Sequence, residues 1–300
     1  MTTIARDLSV KAVEAAAHEG EVPTERKPFK WTRIPLHLVL ILGAVLMFIP
    51  FVWMISSSFK PLDEIFKQPP TLFPVAPTLV NYQTAFGTGT FLQSFFNSFY
   101  IAAVVTVVSL LTCAMAAYAF ARLSFPGNNL LFGLFLATMM VPIQLTIIPL
   151  YTIMGWFQLI DTHAAIILPA ALFNAFGVFL LRQYVRGIPL ELEEAAAIDG
   201  ASRIKIFTTM ILPLLRTPMV ALGIFVFLNQ WNSFFYPLIF LNTDTLFTLP
   251  LWVNQFKGQY SADWGGLMAA TTLAAVPFLI VFIIAQRQIV EGIALSGSKT

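Results

Sequence analysis

The stretch FFNSFYIAAVVTVVSLLTCAMAAYAFA, from Phe95 to Ala121, decides the architecture. It contains no charged side chain, and none occurs between Lys67 and Arg122. A soluble domain is about 25% Asp, Glu, Lys and Arg. This chain of 300 residues is 11% charged and 58% apolar. A helix crosses the hydrocarbon core of a bilayer in about 20 residues, and residues 95–121 exceed that. So long a run cannot be covered by polar surface, and it requires lipid as its solvent.

Outward from this run, five more segments have the necessary length and composition: about Leu36–Ser56, Leu130–Met154, Ala164–Leu181, Ile211–Leu241 and Leu267–Ala285. The expected fold class is therefore an all-α membrane protein with six transmembrane helices. Pro213, Pro218 and Pro237 predict that the fifth segment is kinked or begins along the interface. Residues 1–33 read as a polar tail without the apolar core of a cleavable signal, and 34–300 as the membrane domain. Six spans place most cations on one side: Arg6, Lys11, Arg26, Lys27, Lys30 and Arg33 in the tail, then Arg122, Arg182, Arg186, Arg203, Lys205 and Arg216, then Arg287 and Lys299. Only Lys60, Lys67 and Lys257 fall on the other. The positive-inside rule puts both termini in the cytoplasm, and an even span count agrees.

Several chemistries are excluded. His18, His37 and His163 lie on different segments, and no Cys/His/Asp cluster has metal-ligand spacing. The single Cys113 permits no internal disulfide. No phosphate-binding loop is present, so ATP is not bound by that route. The span interiors lack Asp, Glu, Lys and Arg, which argues against proton or sodium coupling. Energy then comes from a partner, or transport is passive.

The loop between spans four and five, about residues 187–213, is strongly punctuated. Pro189 suits a first helical position, and Glu191, Glu193 and Glu194 complement the dipole at a helix start. Ala195, Ala196 and Ala197 favour helix, and Gly200 suits a left-handed stop. Ser202 can cap a second helix that runs through Arg203 and Phe207 toward Pro213. Leu192, Ala195 and Ala196 share one side of the first helix, and Glu191 and Glu194 turn away from it. Helix physics alone leaves an unpartnered interfacial helix and a docking helix equally open. The 242–266 loop holds Trp252, Phe256, Tyr260 and Trp264 beside Asn254, Gln255 and Gln259. An interfacial aromatic belt and ligand contact both fit that composition.

Glu194-Ala195-Ala196, then Gly200 after three intervening residues, and Leu212-Pro213 a dozen residues on together resemble the EAA loop of ABC-importer permeases. Met210, two before the Leu-Pro pair, departs mildly from the usual residue. Further matches are Ala116 through Arg122, Trp231-Asn232, Pro237-Leu238, Gln286 through Gly292 and the stretch to Lys299. Together they are similar to the carbohydrate branch, the maltose-type permeases with six spans, over residues 31–300.

The resemblance implies a bacterial or archaeal cell-membrane subunit that is not itself an enzyme. It implies a second permease subunit, two ATPase subunits that hold ATP and Mg, and an extracytoplasmic sugar-binding protein, with no cofactor on this chain and no nucleic acid. Glu193, Glu194, Ala195, Ala196, Asp199, Gly200 and Arg203 would dock the ATPase. Trp252, Gln255 and Tyr260 would meet the binding protein. Gln144, Asn174, Asn229, Gln230 and Asn232 are candidates to line the substrate pathway, with hydrogen bonding between helices as the alternative. The other functional readings are a permease for glycerol phosphate or a related polar solute, and a self-contained channel or secondary carrier.

Overall fold

The computed structural model describes residues 33–258 and 263–297, and every regular element among them is helical. The helices are α1 (Arg33–Ser58), α2 (Leu62–Ile65), α3 (Val80–Gly87), α4 (Phe91–Arg122), α5 (Asn128–Ala137), α6 (Ile143–Trp156), α7 (Ala164–Leu172) and α8 (Ala175–Gly187). They continue as α9 (Leu190–Ile198), α10 (Arg203–Ile206), α11 (Leu212–Leu214), α12 (Arg216–Trp231), α13 (Phe235–Phe240), α14 (Leu249–Gln255) and α15 (Trp264–Gly297). Short 3-10 turns follow α5 and precede α14. The chain divides into two compact units at Pro50. In the first, every described side chain from Pro35 to Pro50 is exposed, and most of them are Leu, Val, Ile or Ala, the composition of a membrane-spanning helix.

The second unit is built around α4, which packs against α7, α8 and α12. Its buried stripe is small or β-branched: Ser94, Ser98, Ala102, Val105, Ser109, Cys113 and Ala117 recur at helical spacing. Small residues let membrane helices approach closely, where packing rather than water exclusion drives association. A Cβ at Gly177 of α8 would lie 2.7 Å from the Cys113 sulfur, and one at Gly223 of α12 would lie 3.1 Å from Leu110. Gly177→Ala is expected to cost about 1–3 kcal/mol through overpacking. It should lower the thermal midpoint in detergent, and Cys113→Ala in the same chain should recover most of the loss.

Among the described residues, four helical stretches are long and apolar enough to cross a membrane: Pro35–Ser58, Phe91–Arg122, Ala164–Gly187 and Trp264–Ile283. The third and fifth expected spans are not single helices. Asn128–Met140 and Ile143–Trp156 meet at 106°, and Arg203–Leu214 meets Arg216–Trp231 at 73°; counting each bent pair as one crossing gives six. The first bend lies at Val141-Pro142. A proline disfavours the helical region for the residue before it, and Val141 is extended at ψ 119°. The fifth segment ends its long helix at Trp231, and Pro237 lies in the separate α13.

The Ala164–Gly187 crossing breaks locally after Pro169, where Phe173 and Asn174 leave the helical region. Backbone groups freed inside a bilayer need partners, and α4 and Asn174 supply them. Thr112 Oγ1 donates to Ala171 O at 3.1 Å and Cys113 Sγ to Asn174 O at 3.5 Å. Asn174 Oδ1 accepts from Gly177 N at 2.8 Å and so starts α8.

A second apolar cluster joins Ala85 of α3, Trp231, Leu249, Trp252 and Phe256 to Leu267, Ala269 and Ala270 of α15. Beside it the segment after α1 is ordered by buried polar groups. The Lys60 ammonium donates to Thr71 O and sits 4.5 Å from the Trp53 ring centroid. Glu64 accepts from Thr71 Oγ1 at 3.0 Å and Val75 N at 2.8 Å. The Val75 amide is the main cause holding its carboxyl below the usual range.

Candidate functional site

The loop after α8 follows the expected punctuation closely. Ile188 and Pro189 are extended, and Pro189 stands at the cap of α9 rather than inside its first turn. At the other end Gly200 takes φ +82°, Gly200 N donates to Ala197 O at 3.0 Å, and Ala201 N to Ala196 O at 2.9 Å. These two bonds make a Schellman stop, with Ala196 and Ala201 both leaning on the core. Ser202 caps the next helix, its Oγ accepting from Lys205 N at 3.3 Å.

A π turn, Phe207–Ile211, then leads into α11. Pro213 offers no N–H, and its ring crowds the carbonyl four residues back; the wider turn lies where that conflict falls. Thr208 and Thr209 donate to Ile204 O at 2.9 Å and Lys205 O at 2.6 Å, a bonding pattern that also loosens helices.

Glu191, Glu194, Ala195, Ala197, Ile198 and Asp199 are exposed on α9 and its cap, and so are Arg203 and Ile204 beyond the turn. Ile198 is 87% exposed and Ile204 77%, an apolar pair flanking Gly200. Two expectations change. Ala196 turns inward, away from Leu192 and Ala195. Glu193, expected to meet a partner, is buried: Arg122 Nε lies 2.5 Å from its Oε1, and Tyr118 OH donates to its Oε2 at 3.4 Å. The same guanidinium donates through Nη2 to Ile188 O at 2.6 Å. At helical spacing Glu193 and Ala196 share the inner face and Glu194 the outer one.

In the sequence Arg122 stands at the end of a motif, with no role at the site. It is the sole charged residue between Lys67 and Asp161, and such isolation on an apolar helix signals a paired group.

The pathway candidates converge. A cleft of about 380 Å³ is lined by Asn174, Asn229 and Gln230 with Phe173, Phe176 and Phe225. Another of about 660 Å³ brings Gln144, Asn229, Gln230 and Asn232 beside Phe234, Phe235 and Tyr236. Two of the five are committed elsewhere: Asn174 caps α8 and donates to Ser109 Oγ at 3.2 Å, and Asn232 Nδ2 donates to Leu228 O at 2.8 Å. Asn229, Gln230 and Gln144 have no side-chain hydrogen bond among the described residues, and no charged residue lines either cleft.

The binding-protein candidates separate. Trp252 is fully buried, with Nε1 donating to Thr88 Oγ1 at 3.1 Å, so it is a core residue and presents nothing to a partner. Gln255 is exposed and reaches Asp244 at 3.3 Å. Tyr260 lies outside the described residues. Asp161, which sequence reasoning missed, holds the 242–243 segment at φ +59°. It accepts from Asn242 N at 2.8 Å, Thr243 N at 3.0 Å and Thr243 Oγ1 at 2.5 Å. The Thr243 hydroxyl, followed by the two amides, keeps its carboxyl below the usual range.

Residues 109–294 match the family described as binding-protein-dependent transport system inner membrane component. A putative ABC transporter permease protein of Caldicellulosiruptor sp. is 36% identical over 84% of this chain and 91% of its own length. The arabinooligosaccharides transport system permease protein AraQ of Halalkalibacterium halodurans is also 36% identical, over 83% and 90%. The lactose transport system permease protein LacG of Rhizobium radiobacter is 34% identical, over 85% and 92%. A chain of the bacterial ABC transporter involved in import of the acidic polysaccharide alginate has the same fold, with TM-score 0.76 at 20% identity over 86% of this chain and 98% of that one. The multi-span helical body, the EAA-type loop on its Schellman turn and these relatives agree: the chain belongs to the inner-membrane components of binding-protein-dependent transport systems, the permeases of ABC importers.

Proposed function

We propose that this chain is one permease subunit of an ATP-driven importer of neutral sugars or oligosaccharides. It forms half of the translocation pathway with a second permease. The loop from Glu194 to Gly200 docks one of two ATPase subunits, which hold ATP and Mg. Both termini lie in the cytoplasm, and an extracytoplasmic binding protein delivers the sugar on the opposite side. Closing of the ATPase pair shifts the docking helices and opens the pathway outward, an alternating-access cycle.

The observation that carries the substrate class is the cleft where Gln144, Asn229 and Gln230, which make no side-chain hydrogen bond among the described residues, stand among aromatic rings with no charge in the lining. Amides bond hydroxyls, and aromatic faces cover the apolar faces of sugar rings. The arabinooligosaccharide and lactose permeases among the relatives support the same class. A phosphate ester would call for basic groups there.

The test is ATPase activity of the reconstituted complex across a panel of neutral oligosaccharides and one glycerol phosphodiester. Stimulation by a neutral saccharide is expected, and stimulation by the phosphodiester alone would overturn the reading. Replacing Asn229 and Gln230 together by alanine is expected to raise the half-saturating sugar concentration about tenfold, the loss of about 1.4 kcal/mol of hydrogen bonding.

A further inference from the structure

We infer that α4 is a transmission rod joining the ATPase-docking loop at one end to the 242–249 loop at the other, with Arg122, Tyr118, Asn97 and Ser98 as positioning residues. The inference rests on the docking role proposed above for the loop from Glu194 to Gly200.

Both ends of α4 are fastened. At one end the Arg122 guanidinium holds the docking loop at two points, the Glu193 carboxylate of α9 at 2.5 Å and Ile188 O, just past the end of α8, at 2.6 Å. One turn earlier Tyr118 reaches Glu193, and its ring lies 5.3 Å from that of Phe207, so α4 grips both limbs of the loop around Gly200. At the other end Asn97 Nδ2 donates to Thr245 O at 2.8 Å and Phe247 O at 3.0 Å. Ser98 Oγ accepts from Leu249 N at 2.7 Å, at the first residue of α14. All four side chains are buried or nearly so.

Between these ends α4 runs unbroken for 32 residues, about 48 Å at 1.5 Å per residue. The other helices that meet the docking loop are interrupted: α7 and α8 break at Phe173–Asn174, and α12 follows a bend of 73°. A break absorbs displacement, and a continuous helix passes it on. Arg122–Glu193 is also the one ion pair among the described residues. A buried pair adds little net stability over apolar packing, so its stiffness and directionality are what it supplies.

The test uses the complex with its ATPase subunits, carrying Thr245→Cys at an exposed position and labelled with a membrane-impermeant maleimide; the native Cys113 is buried. Trapping with ATP and vanadate is expected to change the labelling rate about fivefold, the size set by about 1 kcal/mol of differential bonding. Glu193→Gln or Ser98→Ala should each reduce that change below twofold while the ATPase still co-purifies. Ser98→Thr, which keeps the hydroxyl, should retain it, an outcome that a merely structural role does not produce. A full response in both Glu193→Gln and Ser98→Ala would overturn the rod, as would no response in a parent complex that hydrolyses ATP. Absence of any ATPase in the purified parent would overturn the docking reading and the rod with it.

Discussion

Gly200→Val should reduce uptake to less than a tenth of the parent while the chain still accumulates in the membrane. The reason is conformational, because a Cβ at Gly200 would meet nothing within 4 Å. The cost arises at φ +82°. There an L-residue pays about 1–2 kcal/mol, and a β-branched one is a genuine outlier. Valine would move the chain out of that region and break the bonds from Gly200 N and Ala201 N that close α9. The direction in which α10 leaves α9 would then change, and with it the spacing of Ile198 and Ile204. Asparagine tolerates the left-handed region, so Gly200→Asn should keep most of the uptake. Sugar uptake and membrane immunoblots of the two variants decide the matter. Normal uptake by the valine variant would sink the docking role of this turn.

Arg122→Ala is expected to act earlier, on the amount of chain. It leaves the Glu193 carboxylate buried without its partner, and breaking such a pair costs about 3–5 kcal/mol. That is a large share of the 5–15 kcal/mol typical of a folded domain. Membrane fractions should contain far less of this variant. The double variant Arg122→Leu, Glu193→Leu removes both charges and should restore the amount, because apolar replacement of a buried pair is often neutral. It should not restore uptake, since the tie between α4 and α9 is gone. Recovery of both amount and uptake would mean that the pair only fills space.

Much of the fold was legible because lipid imposes a coarse code. The uncharged run of 95–121 became one helix, Phe91–Arg122, extended by a turn before Phe95. Gly200 and Ser202 took their expected turn and cap because local backbone chemistry decides those positions. The bends were harder to see. Pro142 lies inside a stretch whose hydropathy predicts one span, since hydropathy averages across a single residue and prolines occur within membrane helices. The site divided along the same line. The outward face of Glu194 and the turn at Gly200 follow from helix period and backbone conformation, whereas Glu193 differs from Glu194 only in what it faces. Its partner Arg122 is 71 residues away, and no local pattern reports that pairing. Trp252 misled for a similar reason: an aromatic near amides can line a surface or fill a core, and only tertiary contacts distinguish the two.

The π turn at Phe207–Ile211 has a consequence for how this region tolerates change. Such a turn spends one more residue per hydrogen-bonded ring than an α-helix does. Each residue of α-helix corresponds to about 100° of rotation. The extra residue therefore acts as an index mark that sets the angular phase of α11, which follows it directly as far as the bend before Arg216. Losing one residue there would barely shorten the protein. It would turn α11 on its axis against the docking loop.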